Sequence, residues 1–279
     1  MTYPFLKMNG LGNDFVVVGA DLALDRPRFA PDAAAARAIA DRARGVGCDQ
    51  LIGIEPSANG DAFMRIWNSD GSEVEACGNA ARCVGWLLME AAKRDEAVIE
   101  TKAGLLRARR AGPREVAIDM GEPRLNWRDI PLAEEMDTAR VELQVGPIDA
   151  PLLHTPGCVS MGNPHVAFFV ADAEAAPVRE VGPLIEHHPL FPEGVNVGFA
   201  EVRAPDLIRF RVWERGAGVT KACGTGACAA LVAAHRRGLA GRRARVLMDG
   251  GELVVEWRES DGHVIMTGPV EIEFSGVLP

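Results

Sequence analysis

Short apolar runs separated by polar and glycine-rich clusters recur along this chain, and they set its expected elements. Residues 15–18 (Phe-Val-Val-Val), 51–54 and 63–67 are brief and rich in β-branched and aromatic side chains, which predicts β-strands. The same pattern predicts strands over 116–120, 165–170 and 208–213. Residues 31–44 are Ala-rich, begin with a proline and are followed by Gly45, which predicts a helix with Gly45 as its stop. The stretches after Cys77 and Cys223 predict helices through about Lys93 and Arg237, the second stopped by Gly238. Residues 123–131, bounded by prolines, predict a linker, and the strand-like run 270–274 is expected to return to the first half of the chain.

These elements fall into two copies. Ile66-Trp67-Asn68 leads into Ala76-Cys77-Gly78-Asn79, and 146 residues later Val212-Trp213-Glu214 leads into Ala222-Cys223-Gly224-Thr225. Gly12-Asn13 answers to Gly162-Asn163, Gln50 to Asn196 and Glu55 to Glu201. A single match of this kind is easily accidental, but the same landmarks in the same order are not. The expected fold is therefore α+β: two pseudo-symmetric domains from an internal duplication, each a mixed sheet with helices. The first spans residues 1–122, completed by 269–279, and the second spans 123–268.

Composition narrows the possible partners. A hydrophobic fraction of 48% and a charged fraction of 25% are those of an ordinary globular chain with a sizeable core. A net charge of −9 argues against nucleic acid or an anionic membrane as partner. No apolar run reaches the length of a membrane span, and residues 1–7 lack the pattern of a signal peptide, so a cytoplasmic location is expected. The six cysteines could form three disulfides, but a cytoplasmic setting disfavours them. Their spacing lacks the close pairs of a zinc site, so no metal is expected. With four lysines and none in a recognisable motif, a pyridoxal-phosphate enzyme is not expected either.

The chemistry concentrates at the two Cys-Gly turns. A thiol at a helix start faces unpaired backbone N–H groups and a partial positive charge, which predicts a pKa lowered toward neutral. The same N–H groups can hold a carboxylate. One such thiol in each repeat suits a two-base reaction, in which one sulfur takes an α-proton and the other delivers one to the opposite face. A single cysteine in this context is most often a packing residue, and that reading holds for Cys48, Cys83, Cys158 and Cys228. Duplication favours chemistry for Cys77 and Cys223.

Met8-Asn9-Gly10-Leu11-Gly12-Asn13-Asp14-Phe15, residues 68–72, Gly162-Asn163-Pro164-His165, residues 214–218 and the two Cys-Gly turns together resemble the diaminopimelate epimerase family. The resemblance spans almost the whole chain. It implies a mixed sheet wrapped around a central helix in each domain, no cofactor, and interconversion of LL- and meso-2,6-diaminopimelate on the route to lysine and peptidoglycan. It implies that Cys77 donates and Cys223 accepts the proton in the LL-to-meso direction, with His165 and Glu214 supporting their protonation states. Substrate-binding residues carried over are Asn13, Gln50, Asn68, Gly78, Asn79, Asn163, Asn196, Glu214, Arg215, Gly224 and Thr225. The amides can donate to a carboxylate and accept from an ammonium, and Arg215 can hold the distal carboxylate bidentately. Thr225, where Ser is equally acceptable, is expected to act mainly through its backbone N–H. Phe274 stands where an aromatic, usually Tyr, is associated with a homodimer contact. A proline or hydroxyproline racemase also uses a Cys pair, but it needs neither Arg215 nor the amide set. A thiol redox protein using the same two cysteines is the alternative from another class.

Overall fold

The computed structural model describes residues 2–22, 28–75 and 77–278; Ala76, beside the first Cys-Gly turn, lies outside them. The chain divides into one unit of Met1–Asp119 with Thr267–Pro279, and a second of Met120–Met266.

The first unit runs β1 (Tyr3–Gly10), β2 (Asn13–Val18), α1 (Ala33–Ala40), β3 (Gln50–Glu55), β4 (Ala62–Asn68), β5 (Glu73–Val74), α2 (Gly78–Ala92), β6 (Glu96–Thr101), β7 (Gly104–Gly112) and β8 (Glu115–Asp119). Strand β2 is antiparallel to β1 and parallel to β3; β3 is antiparallel to β4, and β4 is parallel to β6. Strands β6, β7 and β8 follow as an antiparallel meander.

The second unit opens with two short pairing strands, β9 (Gln144–Val145) and β10 (Leu153–His154), and then repeats the first. It continues β11 (Gly157–Ser160), β12 (Pro164–Phe169), α3 (Val178–Glu186), β13 (Asn196–Ala204), β14 (Leu207–Glu214), β15 (Gly218–Val219), α4 (Gly224–Arg236), β16 (Arg243–Met248) and β17 (Gly251–Trp257). Again β12 is antiparallel to β11 and parallel to β13, β13 is antiparallel to β14, and β14 is parallel to β16. The register repeats too: Phe15 pairs with Gln50, and His165 with Asn196. The chain then passes through β18 (Val264–Pro269) to β19 (Glu271–Leu278), which pairs with β1 in the first unit.

Each unit wraps its sheet around one helix. Helix α2 is buried on nearly every side over residues 79–89, and α4 over 226–234, as expected of helices apolar all round. Small residues allow the strands to come close. A Cβ added at Gly85 of α2 would lie 2.6 Å from the Ala108 Cβ on β7. Gly85→Leu is therefore expected to destabilise the protein by about 1–3 kcal/mol in urea unfolding, despite the better helix propensity of Leu. An unchanged unfolding midpoint would remove the close-packing account of this position. The second face of the sheet in the second unit is covered by α3, where Val181 and Ile185 pack with Val166, Phe168, Val197 and Phe199.

Two expectations need correction. The helix predicted over 31–44 is only Ala33–Ala40, capped by Asp32, whose side chain accepts from the Ala35 N–H. It ends because the Asp41 carboxylate accepts from the N–H groups of Ala43 (2.7 Å) and Arg44 (3.0 Å), turning the chain before Gly45. Residues 123–131 are no free linker. Arg124 and Ser160 exchange both backbone hydrogen bonds, and Trp127, Ile130 and Leu132 join the core of the second unit. The flanking prolines disguised those three apolar positions.

Candidate active site

In the first unit, strand register gathers the predicted amides. Gln50 pairs with Asn68 across β3 and β4, and its Nε2 donates to Asn68 Oδ1 at 3.0 Å. Asn68 in turn donates to Ser72 Oγ at 3.2 Å. The Oε1 of Gln50 is buried and has no hydrogen-bond partner among the described residues. Cys77 is the N-cap of α2, in extended conformation (φ −147°, ψ 114°) and half-buried. Its carbonyl accepts the first helical bond, from Ala81, so the N–H groups of Gly78 and Asn79 fall outside the helix ladder. Asn13, at the start of β2, brings its Oδ1 to 3.9 Å from Cys77 Sγ, where the thiol donates.

The second unit builds a tighter version. Cys223 is the N-cap of α4 with nearly the same backbone (φ −128°, ψ 109°), but only 4% of it is exposed. Gly224 and Thr225 open the helix in the places of Gly78 and Asn79. The Thr225 hydroxyl lies 3.6 Å from Cys223 Sγ and 3.0 Å from His165 Nε2. That same Nε2 lies 3.0 Å from Asn163 Oδ1, which can only accept, so Nε2 carries the proton and donates. The Thr225 hydroxyl hydrogen is then available to the sulfur. On the other side Glu214, the last residue of β14, accepts from the Thr220 hydroxyl and from the Cys223 thiol.

The electrostatics follow from burial. Burial pushes the Cys223 thiol well above its ordinary range and the nearby Glu214 charge adds to it, while the Thr225 hydroxyl and Gly226 N–H pull it down. Burial also raises the Glu214 carboxyl. The expected lowering of this thiol toward neutral is thus outweighed, because a helix start offers partial charges whereas burial removes water altogether. Cys223 rests as a thiol against a carboxylate that can take its proton.

His165 is 3% exposed, and burial together with the Arg215 charge lowers its pKa to about 3. It is neutral in the folded protein near pH 7. In the unfolded chain it takes a proton below about pH 6.5, so stability drops as pH falls from about 6.5 toward 3. At pH 5 this amounts to about 2 kcal/mol. Urea unfolding at pH 7 and pH 5 should show that loss in the wild type and lack it in His165→Asn. Equal pH slopes in the two proteins would contradict the buried neutral imidazole.

Arg215 sits on an exposed turn fixed from three directions. Its N–H donates to Asn196 Oδ1 at 3.0 Å, and its guanidinium donates to the Glu193 carbonyl at 2.7 Å. The buried Glu186 carboxylate accepts from the Trp213 indole at 2.6 Å and the Gly216 N–H at 2.8 Å. Asn196 also donates to the Pro164 carbonyl at 2.8 Å, so its amide is engaged at both ends.

A profile of the diaminopimelate epimerase family matches residues 5–126 and 157–273. The chain belongs to the diaminopimelate epimerase family. It is 65% identical over its full length to the diaminopimelate epimerase of Phenylobacterium zucineum (strain HLK1), covering 99% of that protein. It is 60% identical over its full length to that of Caulobacter sp. (strain K31), covering 98% of it. The fold is shared more widely. A hydroxyproline epimerase from Agrobacterium vitis superposes with a TM-score of 0.66 at 16% identity, covering 99% of this chain and 91% of that one. A PhzF-family phenazine biosynthesis protein from Bacillus anthracis does so with the same TM-score and identity, covering 100% and 99%.

Sequence reasoning missed Thr220 and Glu186, and it undervalued the Thr225 hydroxyl. Thr220 and Glu186 carry no repeat signal. Cys48, Cys83, Cys158 and Cys228 are all buried, and burial raises Cys48 to about 11 and Cys83 to about 12. Phe274 lies on β19, 48% exposed, with its ring edge-on to Phe5. No helix among the described residues is long and apolar enough to cross a membrane.

Proposed function

We propose that this chain interconverts LL- and meso-2,6-diaminopimelate by moving a proton at one α-carbon, with Cys77 and Cys223 as the two acid/base groups and no cofactor. The observation that carries this reading is the placement of both thiols as N-caps of repeat-equivalent central helices, in a chain 65% identical along its length to a diaminopimelate epimerase. In the LL-to-meso direction Glu214 takes the Cys223 proton, leaving a thiolate that the Thr225 hydroxyl and Gly226 N–H stabilise. That thiolate removes the α-proton. The Cys77 thiol, held against an oxygen acceptor, delivers its proton to the opposite face. In the reverse direction the two exchange roles. The N–H groups of Gly78, Asn79, Gly224 and Thr225 hold the α-carboxylate and the negative charge that spreads onto it.

Arg215 takes the distal carboxylate. Gln50, Asn68, Asn163 and Asn196 shape the distal end, and the unpartnered Gln50 oxygen suits an ammonium. Asn13 faces the Cys77 end. The product serves lysine and peptidoglycan precursor synthesis. The same reading makes the enzyme cytoplasmic, with its cysteines kept reduced, and a homodimer through the exposed Phe274 strand.

The test offers the purified enzyme LL-diaminopimelate, L-proline and trans-4-hydroxy-L-proline separately. Epimerisation of diaminopimelate alone is expected. Turnover of either imino acid with diaminopimelate untouched would move the chain to the racemase reading.

A further inference from the structure

Asn13 must choose which end of its amide faces Cys77, since the two ends are nearly the same size and only their hydrogen-bond partners distinguish them. A directed chain of hydrogen bonds makes the choice. Asp49 Oδ2 accepts from Asn13 Nδ2 at 3.0 Å and from the Asp14 N–H at 3.1 Å. At the other end the buried Arg82 guanidinium donates to Asn79 Oδ1 at 3.0 Å, which turns Asn79 Nδ2 toward Asn13 Oδ1 at 3.4 Å. Arginine can only donate and a carboxylate can only accept, so both ends of the chain impose the same direction. Asp49 is itself anchored by Arg42 at 2.7 Å, and Arg42 also grips Asp14 through two bonds.

We propose that Asp49 is a positioning residue for the Cys77 half-reaction: it locks the Asn13 amide with its oxygen toward the thiol, so that Cys77 is held as the proton-bearing acid. This rests on the reading of Cys77 as an acid/base group. The second repeat lacks the device. Val195, Cys228 and Thr225 stand where the first has Asp49, Arg82 and Asn79, and Asn163 is held by its oxygen instead, at His165. A carboxylate thus holds the Asn13 amide by its nitrogen, whereas at Asn163 the imidazole holds the oxygen. The sulfur of Cys223 meets donors from Thr225 and Gly226 together with the Glu214 carboxylate, whereas the Asn13 amide oxygen faces Cys77.

The test is a double-mutant cycle on kcat/KM for LL-diaminopimelate. Asp49→Ala is expected to lower it about 10-fold, and Asn13→Ala by at least as much. The double variant should match Asn13→Ala alone, because Asp49 acts through Asn13. Asp49→Asn removes the charge but keeps an oxygen where two donors converge, and should stay within about threefold of wild type. Multiplying effects in the double variant, or equal losses in Asp49→Asn and Asp49→Ala, would overturn the proposal. So would wild-type kinetics in Asp49→Ala. Near wild-type activity in Cys77→Ala would instead remove the reading beneath it, and that is scored independently of the cycle.

Discussion

Cys223→Ala and Cys77→Ala are each expected to lower kcat/KM for LL-diaminopimelate by at least about 10²–10⁴-fold, the usual contribution of one positioned acid or base. The losses should not multiply in the double variant, because inversion needs both groups in one event and either deletion already removes it. The folded state should tolerate both changes. Cys77 is only half-buried, and Cys223 makes no contact on which the helix ladder depends, since its backbone carbonyl caps α4 whatever the side chain. Thermal unfolding of each variant checks this alongside the assay. Epimerisation at near the wild-type rate in either variant would end the two-thiol account.

Arg215→Ala is expected to cost about 10²-fold in kcat/KM. One or two charge-assisted hydrogen bonds to a carboxylate contribute about 1.5–3 kcal/mol each, and an exposed guanidinium on a braced turn loses little freedom on binding. Glu186 and Asn196 hold the backbone of that turn through the Gly216 and Arg215 N–H groups, so deleting the side chain leaves the turn in place. Arg215→Lys should recover only part of the loss, because a point charge cannot grip both carboxylate oxygens. An unchanged kcat/KM in Arg215→Ala would remove its assigned role at the distal end.

The repeat was readable from local sequence because its landmarks are local. A Trp ten residues before a Cys-Gly turn marks the end of one strand and the start of one helix in each half. The amides Gln50 and Asn196 were legible because they recur at the repeat spacing, and in the fold each opens the strand parallel to the one carrying Asn13 or His165. Other parts depend on register between distant segments. Asp49 meets Asn13 only when β2 and β3 pair in parallel, and Glu186 meets Gly216 only when α3 packs behind β14. Strand β7 has mostly exposed positions and several arginines, so it carries little apolar signal. The state of the Cys223 thiol was misjudged for a related reason. Its helix-start position is written in the sequence, but its burial and the neighbouring Glu214 are products of the fold.

The central claim is proton exchange at carbon between two thiols, and incubation with LL-diaminopimelate in D₂O, followed by NMR and mass spectrometry at low conversion, tests it most directly. The enzyme is first dialysed against a chelator and freed of added pyridoxal phosphate. The account predicts meso product carrying one solvent deuteron at the inverted α-carbon, with the remaining LL substrate still unlabelled. Product that keeps its original hydrogen, or activity that disappears until a metal or pyridoxal phosphate is restored, would contradict it.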